Sequence, residues 1–350
     1  MMNRGIAVLA LCLLGALDMR AQETDLLPRL RAEIHSPTEI RLTALGVELP
    51  TSPEAYRLTD GRGRRLPVEA VRPAVGEPRA SVLVPASPLD PRRVHYVLVP
   101  DLELRALVRR DPWFRTLHSS KALGAVATEG NGTTFRVFSP RATVVRLHLY
   151  RDPTDAPEDA LRIVDMTRDA DGVWEATDPG DLVGTWYDFT VHGPEDPGNC
   201  FYGTHPVHVS DPYARVNDDA WGKSRIWRDG PPPPPVRGGR PAMEDVVAYE
   251  VHVQDFTDLL PVDPSEAGTF PAMVRPGLVN GQGVPIGFDY LVDLGVNVVH
   301  LMPVQEFLHY PDDEWRAVFA DDPFARSMAI DRENYQWGYR TTHAFAVENR

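Results

Sequence analysis

The sequence predicts a multidomain chain in which two all-β sandwiches precede a β-α-β unit. Three observations predict this. Two separate stretches, residues 38–107 and 124–192, carry short apolar-alternating runs interrupted by turn residues at regular spacing, the pattern of sandwich strands. From Val246 onward the pattern changes to strand, helix, strand, and a parallel strand pair requires a crossover of that kind. Between the two regimes stands Pro231–Pro235, a proline run that neither a helix nor a central strand can hold.

In chain order, Met1–Ala21 reads as a secretory signal. Arg4 supplies the positive start, and Gly5–Leu17 is apolar but too short to span a bilayer. Cleavage near Ala21 and a secreted or periplasmic location are the expectation. Cys12 follows Leu11, where a lipid-modified cysteine needs a small residue, so no lipid anchor is expected. Removal of the signal leaves Cys200 alone, which excludes an intramolecular disulfide and makes it a small apolar packing residue. Residues 22–110 form the first expected sandwich, from the strands EIRLTAL, AYRLTD, ASVLVPA and VHYVLVP, with turns at Asp60-Gly61 and Asp90-Pro91. No chemistry is visible in them.

Residues 123–230 are the second expected sandwich, with strands GTTFRVFSP, TVVRLHLY, GVWEATD and GTWYDFTVHG. Trp174, Trp186 and Tyr187 are its flat aromatic faces. Strand alternation assigns Trp174 to the core, the ordinary place for a strand tryptophan. The stretch 231–244 is a surface linker of extended polyproline, and it places a boundary near Gly238.

Beyond it, VVAYEVHV (Val246–Val253) is a β-branched and aromatic run of the kind buried on both faces in a parallel sheet. In Ile286–Val296, Phe288, Leu291, Val292 and Leu294 fall on one helical side and Gly295 marks the stop. VNVVHLMPV (Val296–Val304) is the second buried strand. His252 and His300 read as hydrogen-bonded core histidines. Gly277, Gly281 and Gly283 make a loose loop without the helix start that a phosphate site needs. There is neither a His-x-x-x-His pair nor an acidic calcium loop, so no metal and no cofactor are expected. The whole chain has 350 residues, is 43% apolar and 25% charged, and carries a net charge of -14. Such a balance offers no basic stripe for nucleic acid or an anionic membrane, and it is compatible with a neutral polysaccharide partner. The oligomeric state is not legible.

AYEVHVQDFT, the run DLGVNVVHLMPV and NYQWGY (Asn334–Tyr339) resemble the start of an α-amylase-family glycoside hydrolase barrel. The subgroup they resemble most is the debranching enzymes, type I pullulanase and its relatives. The region 123–192 is similar to the carbohydrate-binding module of family 48 that precedes such barrels, and SDPYARVND (Ser210–Asp218) is similar to the stretch leading from module to barrel. The resemblance implies that residues 245–350 are the first β-α-β portion of an incomplete (β/α)8 TIM barrel. It implies an enzyme hydrolysing α-1,6 bonds of pullulan, starch or glycogen with retention, its partner an α-glucan. A front end of this kind is shared by α-1,4-glucan hydrolases and branching enzymes. A secreted glucan-binding protein without activity is the alternative of another class.

The nucleophile, acid/base and third acid of that family come from later strands, and a whole barrel takes about 250 residues. No catalytic residue is therefore assigned, and the acids of PDDEW and FADDPF read as loop charges. The chain ending at Arg350 is expected to be inactive alone and poorly folded beyond about Gly238, with the family's Asp-x-x-x-Asn-His strand encoded downstream. What the resemblance places here is part of a substrate wall. Tyr339 matches the tyrosine that stacks on sugar, Trp337 is a second substrate-binding candidate, and Tyr335 flanks them. Gln336, Arg340 and Thr341 depart from the family pattern of Asn, Asn or Asp, and Pro.

Overall fold

A computed structural model describes residues 28–77, 79–196, 206–309, 312–328, 330 and 336–348. The expected signal segment with Cys12, and also Cys200, Asn334 and Tyr335, lie outside the described residues. Among these residues no helix is long and apolar enough to cross a membrane. The chain divides into two compact units. One comprises the residues up to Ser120 with Pro140–Thr143 and the segment from His192 to Pro206. The other comprises Lys121–Ser139, Val144–Val191 and the residues from Val207 onward.

The first unit is built on eight strands: β1 (Arg29–Ser36), β2 (Glu39–Leu45), β3 (Arg57–Asp60), β4 (Arg65–Leu66), β5 (Val68–Pro73), β6 (Ala80–Pro85), β7 (His95–Val99) and β8 (Leu104–Arg109). They hydrogen-bond in one path, β4-β3-β7-β8-β1-β2-β6-β5, rather than as two separate sheets. The alternation the sequence shows is real. Ile40 and Leu42 of β2, Leu58 of β3, Leu83 of β6 and Val97 and Val99 of β7 share one core. Strands β2 and β3 stand four places apart in the path, so a shared core requires the sheet to fold over on itself. Tyr56 closes one end, its hydroxyl donating to the Pro50 carbonyl at 2.7 Å.

Asp196 ties the returning segment to this unit. Its buried carboxylate accepts the Val94 N–H at 3.0 Å and lies 3.2 Å from an Arg93 guanidinium nitrogen. Removing the acceptor leaves a buried N–H and a cation without their carboxylate. Asp196→Ala is expected to cost about 2 kcal/mol, seen as a lower urea midpoint at unchanged slope.

The second unit opens with a sandwich. One sheet runs β13-β14-β10-β9 and contains β9 (Gly124–Thr128), β10 (Gly132–Phe138), β13 (Thr167–Arg168) and β14 (Val173–Asp178). The other runs β12-β11-β15-β18-β17 and contains β11 (Val144–Tyr150), β12 (Arg162–Asp165), β15 (Trp186–His192), β17 (Val216–Asn217) and β18 (Ser224–Arg225), with β16 (His208–Val209) also on β15. Phe135 of one sheet meets Tyr187 of the other edge-on, ring centroids 5.3 Å apart, and Phe189 adjoins Tyr187 at 5.7 Å. Trp174 is buried as expected, its indole N–H donating to the Ser139 carbonyl at 3.0 Å. Tyr187 is fully buried as well, so it offers no face to a sugar. The proline run is exposed and has no regular hydrogen bonding.

After the linker, β19 (Ala248–Val251) pairs in parallel with β20 (Val298–Leu301), Ala248 opposite Val298 and Val251 opposite Leu301. The short helix Phe288–Asp293 lies between them in sequence and ends before Gly295. The β-α-β reading of these stretches is what the structure shows, with two corrections. The strands are shorter than the apolar runs, and Val253 opens a helix (Val253–Thr257) instead of closing β19. Nor are they buried on both faces: Val247 and Val299 are exposed, and of the expected apolar helix side only Leu291 is buried. Two-sided burial needs neighbours on each side, and among the described residues this sheet has two strands only. Its interior is a small cluster of Val251, Val253 and Met273 with Tyr249, Phe256, Leu301 and Val304 around it.

Candidate functional site

The carboxyl ends of β19 and β20 are where this part of the chain gathers polar and aromatic groups. Asn297 sets the register at the opposite end: its side-chain oxygen accepts the Val247 N–H and its amide donates to the Asp245 carbonyl, both at 2.8 Å. At the carboxyl end of β19, His252 caps the following helix, its Nδ1 accepting the Asp255 N–H at 3.3 Å. That leaves the proton on Nε2, which donates to the Gln336 carbonyl at 2.8 Å. Gln336 returns a bond, its Nε2 donating to Asp255 Oδ1 at 2.8 Å. Gly338 presses on the other strand's exit, where a Cβ would stand 2.4 Å from the Pro303 carbonyl oxygen.

The loop 336–339 is thus pinned to the ends of both parallel strands, by His252 and Asp255 after β19 and by Pro303 after β20. Trp337 and Tyr339 flank Gly338 and are 52% and 61% exposed. Both predicted site residues stand together on this loop with open surface, and Tyr335 lies outside the described residues. Burial and the charge of Asp255 push the Asp258 carboxyl above its ordinary range. An exposed aromatic pair beside hydroxyl-matching amide and carboxylate groups suits a ligand with an apolar face and a polar rim.

The two strand histidines separate. His252 is the hydrogen-bonded residue expected. His300 is not in a core: its side chain is 69% exposed, with Nδ1 3.4 Å from Glu250 across the strand pair. It points to the uncovered face of the two-stranded sheet. The strands β21 (Gln305–Phe307) and β22 (Thr341–Val347) stand before and after the loop in sequence and pair antiparallel, and Phe345 stacks on Tyr213 at 5.3 Å and 13°. That contact joins the stretch Ser210–Asp218 to β22.

Sequence reasoning missed Trp221 and Trp227. Trp221 is 81% exposed beside the tight turn at Asp219, and Trp227 is also exposed. Their signal was position: both fall in turn-rich sequence outside the alternating strands. Trp186, by contrast, is partly covered by the Arg225 guanidinium 5.6 Å above its ring.

Residues 122–214 match the family model for carbohydrate-binding module 48, the isoamylase N-terminal domain. The second β domain is a module of this family. The chain is also similar to glycogen debranching enzymes: 30% identical to that of Pectobacterium atrosepticum over 257 residues, and 26% identical to that of Yersinia pseudotuberculosis over 255. These alignments cover 65% and 66% of this chain but 33% and 34% of the relatives, so the chain spans about a third of their length. Among solved structures it resembles the pullulanase of Bacillus acidopullulyticus (TM-score 0.63, 17% identity, 91% of this chain and 50% of that one). It also resembles the maltotetraose complex of pullulanase from Anoxybacillus sp. LM18-11 (TM-score 0.57, 22% identity, 91% and 42%). At those identities the likeness is one of fold, and it extends to the sheet-rich domains on either side of Ser120. The chain is pullulanase- and debranching-enzyme-like, with a module-48 domain before its parallel strand pair.

Proposed function

We propose that this chain is the front part of a secreted glycoside hydrolase of the α-amylase family acting on α-glucan. The bond we assign to it is the α-1,6 linkage of pullulan, starch or glycogen, cleaved with retention. In this reading β19 and β20 are the first two strands of a (β/α)8 barrel, whose sites lie at the carboxyl ends of the strands. One observation carries it. The Trp337–Tyr339 loop is fixed at those ends, with both aromatics exposed, in a chain that also holds a module-48 domain. The similarity in sequence to glycogen debranching enzymes supports the substrate class.

Retaining glycosidases work with two carboxyl groups about 5–5.5 Å apart. No such pair is assigned here, so the chain alone is expected to release no reducing sugar from pullulan, whereas the longer protein read through Arg350 is expected to do so. Activity in the chain alone, or attack by the longer protein on α-1,4 bonds only, would overturn this reading. A second reading, glucan binding without catalysis, is favoured by the exposed Trp221. Trp221→Ala in this chain is expected to weaken retention in an amylopectin gel by about 1 kcal/mol, a factor of about five. Unchanged retention would remove Trp221 from the binding face.

A further inference from the structure

Core residues alternate along β11 and β15: Leu147, Leu149, Tyr187 and Phe189 are buried, and the Phe135–Tyr187 contact fixes which side faces the other sheet. The residues between them should meet solvent. They do not. His148, Tyr150, Asp188 and Thr190 are buried too, and they form a polar cluster with His208 of β16. A ring nitrogen of His148, a carboxylate oxygen of Asp188 and a ring nitrogen of His208 lie within 4.8 Å of one another.

We propose that His148, Asp188 and His208 form a binding site for a divalent first-row transition metal of the zinc class. Two imidazoles and one carboxylate are a ligand set such ions take, with water completing the sphere. The supporting groups are in place. His148 Nε2 stands 2.9 Å from the Thr190 hydroxyl, and its Nδ1 is buried with no hydrogen-bond partner. In the tautomer that donates from Nε2 to Thr190, Nδ1 keeps a lone pair that no donor of the protein meets and that a metal ion can take. Tyr150 donates to the Asp188 carboxylate at 3.2 Å, the kind of outer bond that orients a ligating carboxylate. His208 Nδ1 is 3.0 Å from both Asp188 oxygens and its side chain is 29% exposed, which gives an ion a way in. Two cations face the cluster, Arg146 towards His148 and Lys223 towards Asp188. The Lys223 ammonium lies 4.4 Å from the Tyr150 ring centre and donates to the Pro153 and Asp155 carbonyls. The three ligands come from three strands, so no spacing in the sequence announces them.

The test is titration of the full chain, stripped with EDTA, with Co2+ and then Zn2+. The expected result is one Co2+ per chain with visible d–d absorption, displaced by Zn2+, and a Tm that rises with Zn2+. His208→Gln, at a partly exposed position, is expected to lose more than about tenfold in affinity while its Tm in EDTA matches the parent's. Tyr150→Phe is expected to retain the site at about tenfold weaker affinity. Absence of the Co2+ spectrum in the parent chain overturns the proposal. So does an undiminished spectrum in His208→Gln, which would put the ion elsewhere, for instance at Asp219, Glu306 and His309.

Discussion

Alanine at Gly338 is expected to dislodge the Trp337–Tyr339 loop and, on the proposed function, to cut pullulan hydrolysis by the longer protein more than about tenfold. Gly338 has φ of +75°, a conformation that costs a side-chain-bearing residue about 1–3 kcal/mol. Its Cβ would also stand 2.4 Å from the Pro303 carbonyl oxygen and 3.0 Å from the Pro303 Cβ. Relieving such an overlap costs about 1–3 kcal/mol more, because backbone must move. Together these exceed the 1.4 kcal/mol that shifts a population about tenfold, so the loop adopts another path. Hydrogen exchange in this chain should show faster exchange of amides at 336–339 with the module strands unchanged. Gly277→Ala is the matched control. Its φ is +79° but nothing lies within 4 Å of the added Cβ, so it carries strain without collision and should leave loop and activity nearly intact. Equal effects of the two substitutions would show that the Pro303 contact does not hold the loop.

Much of this arrangement is legible from residues, and the parts that are not have identifiable reasons. The switch to strand-helix-strand at Val246, the stop at Gly295 and the parallel pairing follow from period and punctuation. So does the burial of Trp174, because alternation fixes the phase of a strand once one core residue is known. The same alternation accounts for Tyr187, which is buried while its neighbour Trp186 is the more accessible of the two. The exposed faces of β19 and β20 could not be read at all. A β-branched run reports the sheet for which it is suited, and burial depends on strands elsewhere. His300 shows the same limit, since it reads as a core histidine only if its face is covered. The tether of Gln336 to His252 and Asp255, and the meeting of His148, Asp188 and His208, are contacts between residues far apart in sequence. Pattern within a window cannot report them.

The module's stability is expected to fall by about 2 kcal/mol between pH 4 and pH 7 through one buried carboxyl, Asp211. Asp211 has no exposed surface. Its Oδ2 accepts the Tyr187 hydroxyl and its Oδ1 the Tyr213 N–H, each at 2.8 Å. Burial outweighs those bonds and pushes its pKa from 3.8 up to about 6. A folded carboxyl with a raised pKa holds a proton that the unfolded chain has already lost. Its contribution is therefore fully present below about pH 4 and is lost as pH rises through about 6. Carboxyls held low by partners, such as Asp169 beside Lys121 and Glu175 beside Arg136, act with the opposite sign at lower pH. The difference between parent and Asp211→Asn isolates the term. In that variant the amide oxygen can take the Tyr213 N–H while the amide nitrogen donates to the Tyr187 oxygen, so the contacts survive without a charge. Urea unfolding at pH 4, 5, 6 and 7 should show the variant gaining on the parent by about 2 kcal/mol across the series. Tyr213 stacks on Phe345 of β22, so the same titration should loosen β22 beside the Trp337–Tyr339 loop, read as faster exchange at 341–347 above pH 6 in the parent only. Parallel pH curves for the two proteins would mean that Asp211 stays ionised in the fold.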